Sequence, residues 1–294
     1  MSKGILVFAR NNSHVDYIKQ AYFLAQRAKD LLGLPTSIVT DSEEYLLQQF
    51  SDADTVFDKV IKIVWKPEDV AANTVLSNSE DHRIKVFYDG AMAAKNLQWK
   101  NESRVFAYEV SPYDETLVLD TDVVICNDAF LTCFEQHHDL LMYKECADLT
   151  GMDRGTEFKI ISETSVDFYW ATAVFFRKSE TNKIFFDLIQ HVHENWVHYS
   201  NMFQLRSTLY RNDFAFSIAV HIMNGYQSGN FANPMPGTLY YITDKSILWN
   251  IDKNSLLFLL EKPKHEGEYT ACRIKDANVH VMNKFSLNRC IDEH

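Results

Sequence analysis

No stretch of this sequence approaches the roughly 18 consecutive apolar residues that a membrane span needs, and the apolar run in MSKGILVFAR is too short for the core of a signal peptide. There is no Cys-x-x-Cys pair. The five cysteines, Cys126, Cys133, Cys146, Cys272 and Cys290, are odd in number and scattered, which argues against both a thiolate zinc site and a disulfide framework. The expectation is a soluble, cytoplasmic protein in a reducing compartment. The chain also lacks G-x-G-x-x-G and G-x-x-x-x-G-K-[ST], so hydride transfer on a dinucleotide and P-loop ATP hydrolysis lose support. Internal repeats and low-complexity tracts are missing as well.

What is present suits a folded α/β protein. Apolar residues make up 46% and aromatic residues 13% of 294 positions, enough for a sizeable core, and 23% charged is ordinary. The formal charge of -11 would repel nucleic acid and anionic membranes. Its distribution is uneven: residues 1–153 carry 14 basic against 25 acidic residues, whereas residues 154–294 carry 15 of each. The second half therefore leaves room for a local basic surface.

Ile5-Leu6-Val7-Phe8-Ala9 followed by polar Arg10-Asn11-Asn12 reads as a strand buried on both faces, with a loop at its carboxyl edge. Ser13 reads as a helix N-cap with Asp16 three residues on, and apolar residues then recur at helical spacing from Val15 to Leu32, stopped by Gly33 and Pro35. Ser37–Thr40 makes a second strand ending at Asp41, which completes a right-handed β-α-β unit of nucleotide-binding type. Downstream, 61–64 reads as a strand, 70–80 as a polar loop and 88–100 as a helical stretch.

The most informative segment is Thr116-Leu117-Val118-Leu119-Asp120-Thr121-Asp122-Val123-Val124-Ile125, where two carboxylates interrupt an apolar strand. Burying both charges is costly. At a strand end the backbone can turn so that both face one cation, and in an open α/β sheet ligands bind at that edge. A bare D-x-D also occurs as a turn cap, so the pair needs a partner. Nucleotide-sugar transfer gives a reason for such a site: a nucleoside diphosphate departs with growing negative charge, which Mn²⁺ or Mg²⁺ stabilises. A third ligand is offered by Asn278-Val279-His280-Val281-Met282-Asn283-Lys284, where Val279 and Val281 face the core and His280 the other side. Lys284 follows within reach of the same phosphate oxygens.

These motifs resemble those of GT-A-fold glycosyltransferases of the family 8 type, which includes glycogenin and the bacterial lipopolysaccharide galactosyltransferases. The phrasing SPYDETLVLDTD, with RNDFAFS later, is also similar to glycosyltransferases encoded by tailed phages. The resemblance implies a mixed, mostly parallel central sheet flanked by helices, with a Rossmann-like N-terminal half. It implies one domain over 1–294, with a nucleotide-sugar-binding half at 1–126 and an acceptor half at 127–294 carrying the C-terminal metal and phosphate motif. It makes Asp120, Asp122 and His280 the metal ligands and Lys284 a diphosphate contact. Arg104 takes the position of a basic donor-binding residue. Ala9, Arg10, Asn11 and Asp41 match the base and ribose positions, and Thr121 joins the donor contacts. The family's Phe-Asn-Ser-Gly is replaced here by Trp170-Ala171-Thr172-Ala173, and the His-to-Lys interval of its closing motif is shortened.

Asp213, at the start of a helical segment, falls where the family has an Asp-Gln pair near the reacting carbon; it reads equally as a carboxylate favoured by the helix dipole. Glu163 and Asp167 are lesser catalytic candidates. In retaining transfer of this class the leaving phosphate itself takes the acceptor proton, so a dedicated base is not required. His191, His193 and His198 lack H-E-x-x-H spacing and read as a solvated helix face, and Trp170, Tyr240, Tyr241 and Trp249 read chiefly as core. The expectation is a metal-dependent, retaining transferase using a uridine diphosphate hexose. Its acceptor is open among glycan, lipid, protein and a hydroxymethylated base of phage DNA. A nucleotidyltransferase and a catalytically silent nucleotide-sugar-binding protein are the rival readings.

Overall fold

Strand β1 (Lys3–Ala9) is buried from Gly4 onward because it has a parallel neighbour on each side. A computed structural model describes residues 1–63, 84–98, 102–162, 166–205 and 209–293. Helix α1 (Tyr17–Leu32) follows, capped by Asp16, whose side chain accepts from the Lys19 amide. Ser13 is not the cap. Asn12 Oδ1 accepts the amides of His14 at 2.9 Å and Val15 at 2.8 Å, so the polar loop runs three residues further before the helix begins. Gly33, at φ +61°, ends α1 in the left-handed region that favours glycine.

Beyond α1 come β2 (Thr36–Thr40) and β3 (Lys59–Lys62), each parallel to its predecessor in the sheet. The stretch expected to be helical at 88–100 is instead a hairpin, β4 (Ile84–Tyr88) and β5 (Ala94–Gln98), as far as it is described. The turn at Asp89-Gly90 decides this: Gly90 adopts φ +87° and the Asp89 amide donates to Ala93 O at 2.8 Å. Val64 and the expected loop at 70–80 lie outside the described residues.

The chain then lays down β6 (Glu115–Leu119), the short β7 (Val123–Val124), β8 (Leu140–Tyr143), β9 (Ala147–Asp148), β10 (Trp170–Arg177) and β11 (Asn233–Pro234). Among the described residues the central sheet has seven strands in the order β11-β8-β10-β6-β1-β2-β3. Only β10 runs antiparallel to its neighbours. Helices Glu180–Glu194 and Asn212–Met223 pack on each other, and the latter packs on β10. This is the expected mixed, mostly parallel α/β sheet flanked by helices.

The last strands are β12 (Tyr240–Ile242), β13 (Ile247–Asp252), β14 (Ser255–Lys262), β15 (His265–Lys275) and β16 (Val279–Val281), followed by helix Lys284–Asp292. The antiparallel β13-β14-β15 meander buries Leu256, Phe258 and Leu260 against Val279, Val281 and Leu287. A small sheet of order β7-β16-β12-β9 joins that unit to the carboxyl edge of β6.

Candidate active site

The D-x-D segment begins where β6 ends. Asp120 keeps its amide on Thr172 O of β10 at 2.9 Å, and its carbonyl accepts from Val123 at 3.2 Å, closing a turn through Thr121 and Asp122. The turn brings the two carboxylates toward one center. The Val281 amide donates to Asp122 O at 2.8 Å, and β16 runs antiparallel to β7 with His280 opposite Val123. This pairing brings His280 to the acidic pair: ligand atoms of Asp120, Asp122 and His280 all lie within 4.8 Å of one another.

His280 is 7% exposed. Its Nε2 is 3.3 Å from Asp122 Oδ1, and its Nδ1 is 3.3 Å from Thr172 Oγ1. Without a cation Nε2–H faces the carboxylate; with a cation bound, a proton kept on Nδ1 and donated to Thr172 would leave the Nε2 lone pair for the metal. Two carboxylates and an imidazole form a donor set that suits Mn²⁺ and admits Mg²⁺. Small rotations about the side-chain bonds would bring all three into one coordination sphere, so the residues fit a divalent cation.

Each carboxylate also has a cation. Lys284 Nζ lies 2.8 Å from Asp122 Oδ2, and the Arg104 guanidinium donates to Asp120 and to Ala171 O. Burial would push the Asp122 carboxyl up, but Lys284 and His280 hold it well below the usual carboxylate range. In Asp120 burial outweighs Arg104, and the neighboring Asp122 adds to the rise, so its carboxyl sits above that range. Lys284 loses hydration, yet Asp122 keeps its ammonium charged to higher pH than usual.

Lys284 reaches Asp122 despite the shortened interval after His280. Asn283 caps the C-terminal helix by accepting from the Ser286 amide at 2.9 Å, and donates to Asp244 O and Ser246 O at 3.0 and 2.9 Å. The cap starts the helix at Lys284 itself. Gln20, inside α1 and fully buried, secures the arrangement: its amide donates to Lys284 O at 3.2 Å and Asn288 Oδ1 at 2.8 Å, and its Oε1 accepts from Thr121 at 3.3 Å.

Asp213 lies in the first turn of helix Asn212–Met223, accepting from the Ala171 amide at 2.9 Å and from Arg211 at 2.9 Å. Because Ala171 O takes Arg104, a continuous chain of hydrogen bonds runs from Asp213 to Asp120. Arg10 and Asp41 pair at 2.9 Å across the carboxyl ends of β1 and β2, next to buried Ala9. Asn11 accepts from the Ile18 amide and donates to Asp16, each at 3.0 Å. Asp167 bonds Lys144 at 2.8 Å and lines a small pocket with Ser217 and His221, so its neighbors are those of the Asn212–Met223 helix. Glu163 lies outside the described residues. His191 and His198 are exposed, but His193 turns inward with Nε2 3.6 Å from Glu102, which corrects the reading of all three as a solvated face. Trp170 and Tyr241 are core residues, whereas Trp249 is exposed.

A cavity of about 520 Å³ opens beside the site, between the loop at 11–16, the β4–β5 turn and the outer side of the C-terminal helix. Asp16, Asp89 and Asp292 line it together with Lys19, Lys95 and Arg289. Most of these charges are paired internally, as in Lys19–Asp292 at 2.5 Å and Arg289–Asp89 at 3.0 Å.

Neither a scan against protein-family models nor a search of curated proteins gives a match. Among solved structures, the apo form of the glycosyltransferase GlyE of Streptococcus pneumoniae aligns over 76% of this chain and 43% of its own, at 11% identity and a TM-score of 0.41. The galactosyltransferase LgtC, in complex with donor and acceptor sugar analogs, aligns over 73% of this chain and 69% of its own, at 11% identity and a TM-score of 0.42. Mouse xyloside xylosyltransferase 1 aligns over 77% and 83%, at 12% identity and a TM-score of 0.41. The chain thus spans less than half the length of GlyE. At these identities and TM-scores the similarity says nothing of donor or acceptor.

Proposed function

We propose that the chain is a metal-dependent glycosyltransferase that moves a sugar from a nucleotide-sugar, by default a uridine diphosphate hexose, to a hydroxyl acceptor. The supporting observation is the convergence of Asp120, Asp122 and His280 from distant segments, with Lys284 bonded to the same carboxylate. A Mn²⁺ or Mg²⁺ held by those three side chains would supply a Lewis acid for the phosphates of the departing nucleoside diphosphate. Lys284 is close enough to exchange its bond to Asp122 for one to a phosphate oxygen, as a point charge on a flexible stem. Arg104 fixes Asp120, and Thr172 fixes the His280 ring. Arg10, Asn11 and Asp41, at the carboxyl ends of β1 and β2, would receive base and ribose. Asp213 has a hydrogen bond on each oxygen. It acts as a fixed negative charge beside an oxocarbenium-like center rather than as a mobile base, in keeping with a retaining course. The acceptor is a glycan, lipid or protein hydroxyl or a hydroxymethylated base of phage DNA, the last of which needs a basic groove.

The test is release of nucleoside diphosphate from a panel of nucleotide-sugars with Mn²⁺, with and without chelator. Turnover should require the metal and fall about a hundredfold or more in Asp122→Asn. Turnover untouched by chelator and by that substitution would overturn the reading, as would nucleotidyl transfer from labelled nucleoside triphosphates in its place.

A further inference from the structure

The β4–β5 hairpin has two unlike faces. Val86 is 55% exposed on one of them. On the other, strand pairing sets Lys85 opposite Leu97 and Phe87 opposite Lys95. Leu97 is buried with Val15 and Phe285, and Phe87 packs on the same cluster. The Lys95 ammonium lies 4.3 Å from the Phe285 ring center, and the Lys284 ammonium 5.5 Å from that of Phe87. This face therefore rests on the start of the C-terminal helix, where Lys284 meets Asp122. The two-residue period of a strand carries Lys85 on the same face, about 7 Å along from Phe87.

The hairpin is fastened in that position. Asp244 accepts the Tyr88 amide on its carboxylate at 2.8 Å and the Gly90 amide on its carbonyl at 3.2 Å. The Tyr269 hydroxyl accepts the Ala91 amide at 2.8 Å, and Arg289 grips Asp89 with two bonds of 3.0 Å. Lys85 as a whole is half-buried, but its ammonium is desolvated. Around it, Arg211 and Lys284 repel its charge while Asp213 and Asp120 attract it. Desolvation is the larger influence and brings its pKa down to about 7.

We propose that Lys85 is a donor-binding residue whose ammonium hydrogen-bonds the phosphate that carries the sugar. This rests on the glycosyltransferase reading. The charges acting on Lys85 are those of Arg211, Asp213, Lys284 and Asp120, the groups around the metal ligands and Asp213, so the sugar-bearing phosphate is its natural partner. Arg104, Arg211, Lys284 and Lys85 are matched in number by Asp120, Asp122, Asp213 and Asp244, so a bound divalent cation would leave an excess of positive charge that a diphosphate answers. As the bond between the anomeric carbon and the phosphate oxygen breaks, its electron pair stays on that oxygen. The acceptor oxygen bonds to the carbon and gives its proton to the released phosphate. A cation at the leaving oxygen gains attraction as the bond breaks, so Lys85 stabilises the transition state more than the bound donor.

The test measures binding of uridine diphosphate and uridine monophosphate to the full chain with Mn²⁺, by calorimetry, for wild type, Lys85→Met, Lys85→Arg and Val86→Ala. Lys85→Met should weaken uridine diphosphate about tenfold and uridine monophosphate less than twofold. Lys85→Arg should restore most of the loss, and Val86→Ala should match wild type. Equal losses for both nucleotides, no loss in Lys85→Met, or no rescue by Arg would overturn the role of Lys85 while leaving the transferase reading intact. A wild type that binds neither nucleotide with Mn²⁺ would overturn the donor reading, and this inference with it.

Discussion

Asp122 has Lys284 on one oxygen and the His280 ring at 3.3 Å from the other, so neutralising it releases both neighbors at once. Wild type should gain thermal stability on addition of Mn²⁺, by about 2.7 kcal/mol at a hundred times the dissociation constant, and Asp122→Asn should lose that gain. Thr172→Val removes the group that orients His280 without opening a cavity. It should weaken Mn²⁺ about tenfold or more, as loss of an outer-shell partner does, and an equilibrium titration with the metal would measure it. Asn283→Ala should cost about 1–3 kcal/mol in urea unfolding, because it removes a helix cap and a donor to the buried Ser246 carbonyl. The acidic pair was legible because charge interrupts an apolar strand, and His280 because the pair asked for a third ligand. Gln20 and Thr172 were not legible. Their partners, such as Asn288 for Gln20, lie more than a hundred residues away, and a polar residue inside a helix or strand carries no local mark of such a partner.

At the scale of elements, β1, α1 and β2 follow directly from apolar periodicity, but the hairpin at 84–98 does not. Ala91, Ala93 and Ala94 with Met92 are strong helix formers, so local propensity alone favors a helix over 88–100. Pairing with β4 and the anchors on Asp244 and Tyr269 override that propensity. The hairpin's outermost fastening is the Asp89–Arg289 pair, where the arginine is half exposed. Arg289→Ala should therefore change global stability by less than about 1 kcal/mol. It should still speed amide hydrogen exchange at Tyr88 to Ala91, while exchange in β1 stays unchanged; faster exchange throughout would refute a local role.

For the whole molecule, the five cysteines are all free, with Cys126, Cys133 and Cys290 buried and Cys146 and Cys272 half-buried. A reducing agent should leave the melting temperature unchanged, in a scan run with and without dithiothreitol. One main-chain bond has a wider consequence. The Val281 amide meets the Asp122 carbonyl at 2.8 Å across a sequence separation of 159, and such a non-local contact forms slowly and late. On the ribosome, a nascent chain would display its acidic pair long before the imidazole and the lysine emerged. The unfinished polypeptide should be unable to grip nucleotide, and competence should arrive only as the final strand docks beside β7.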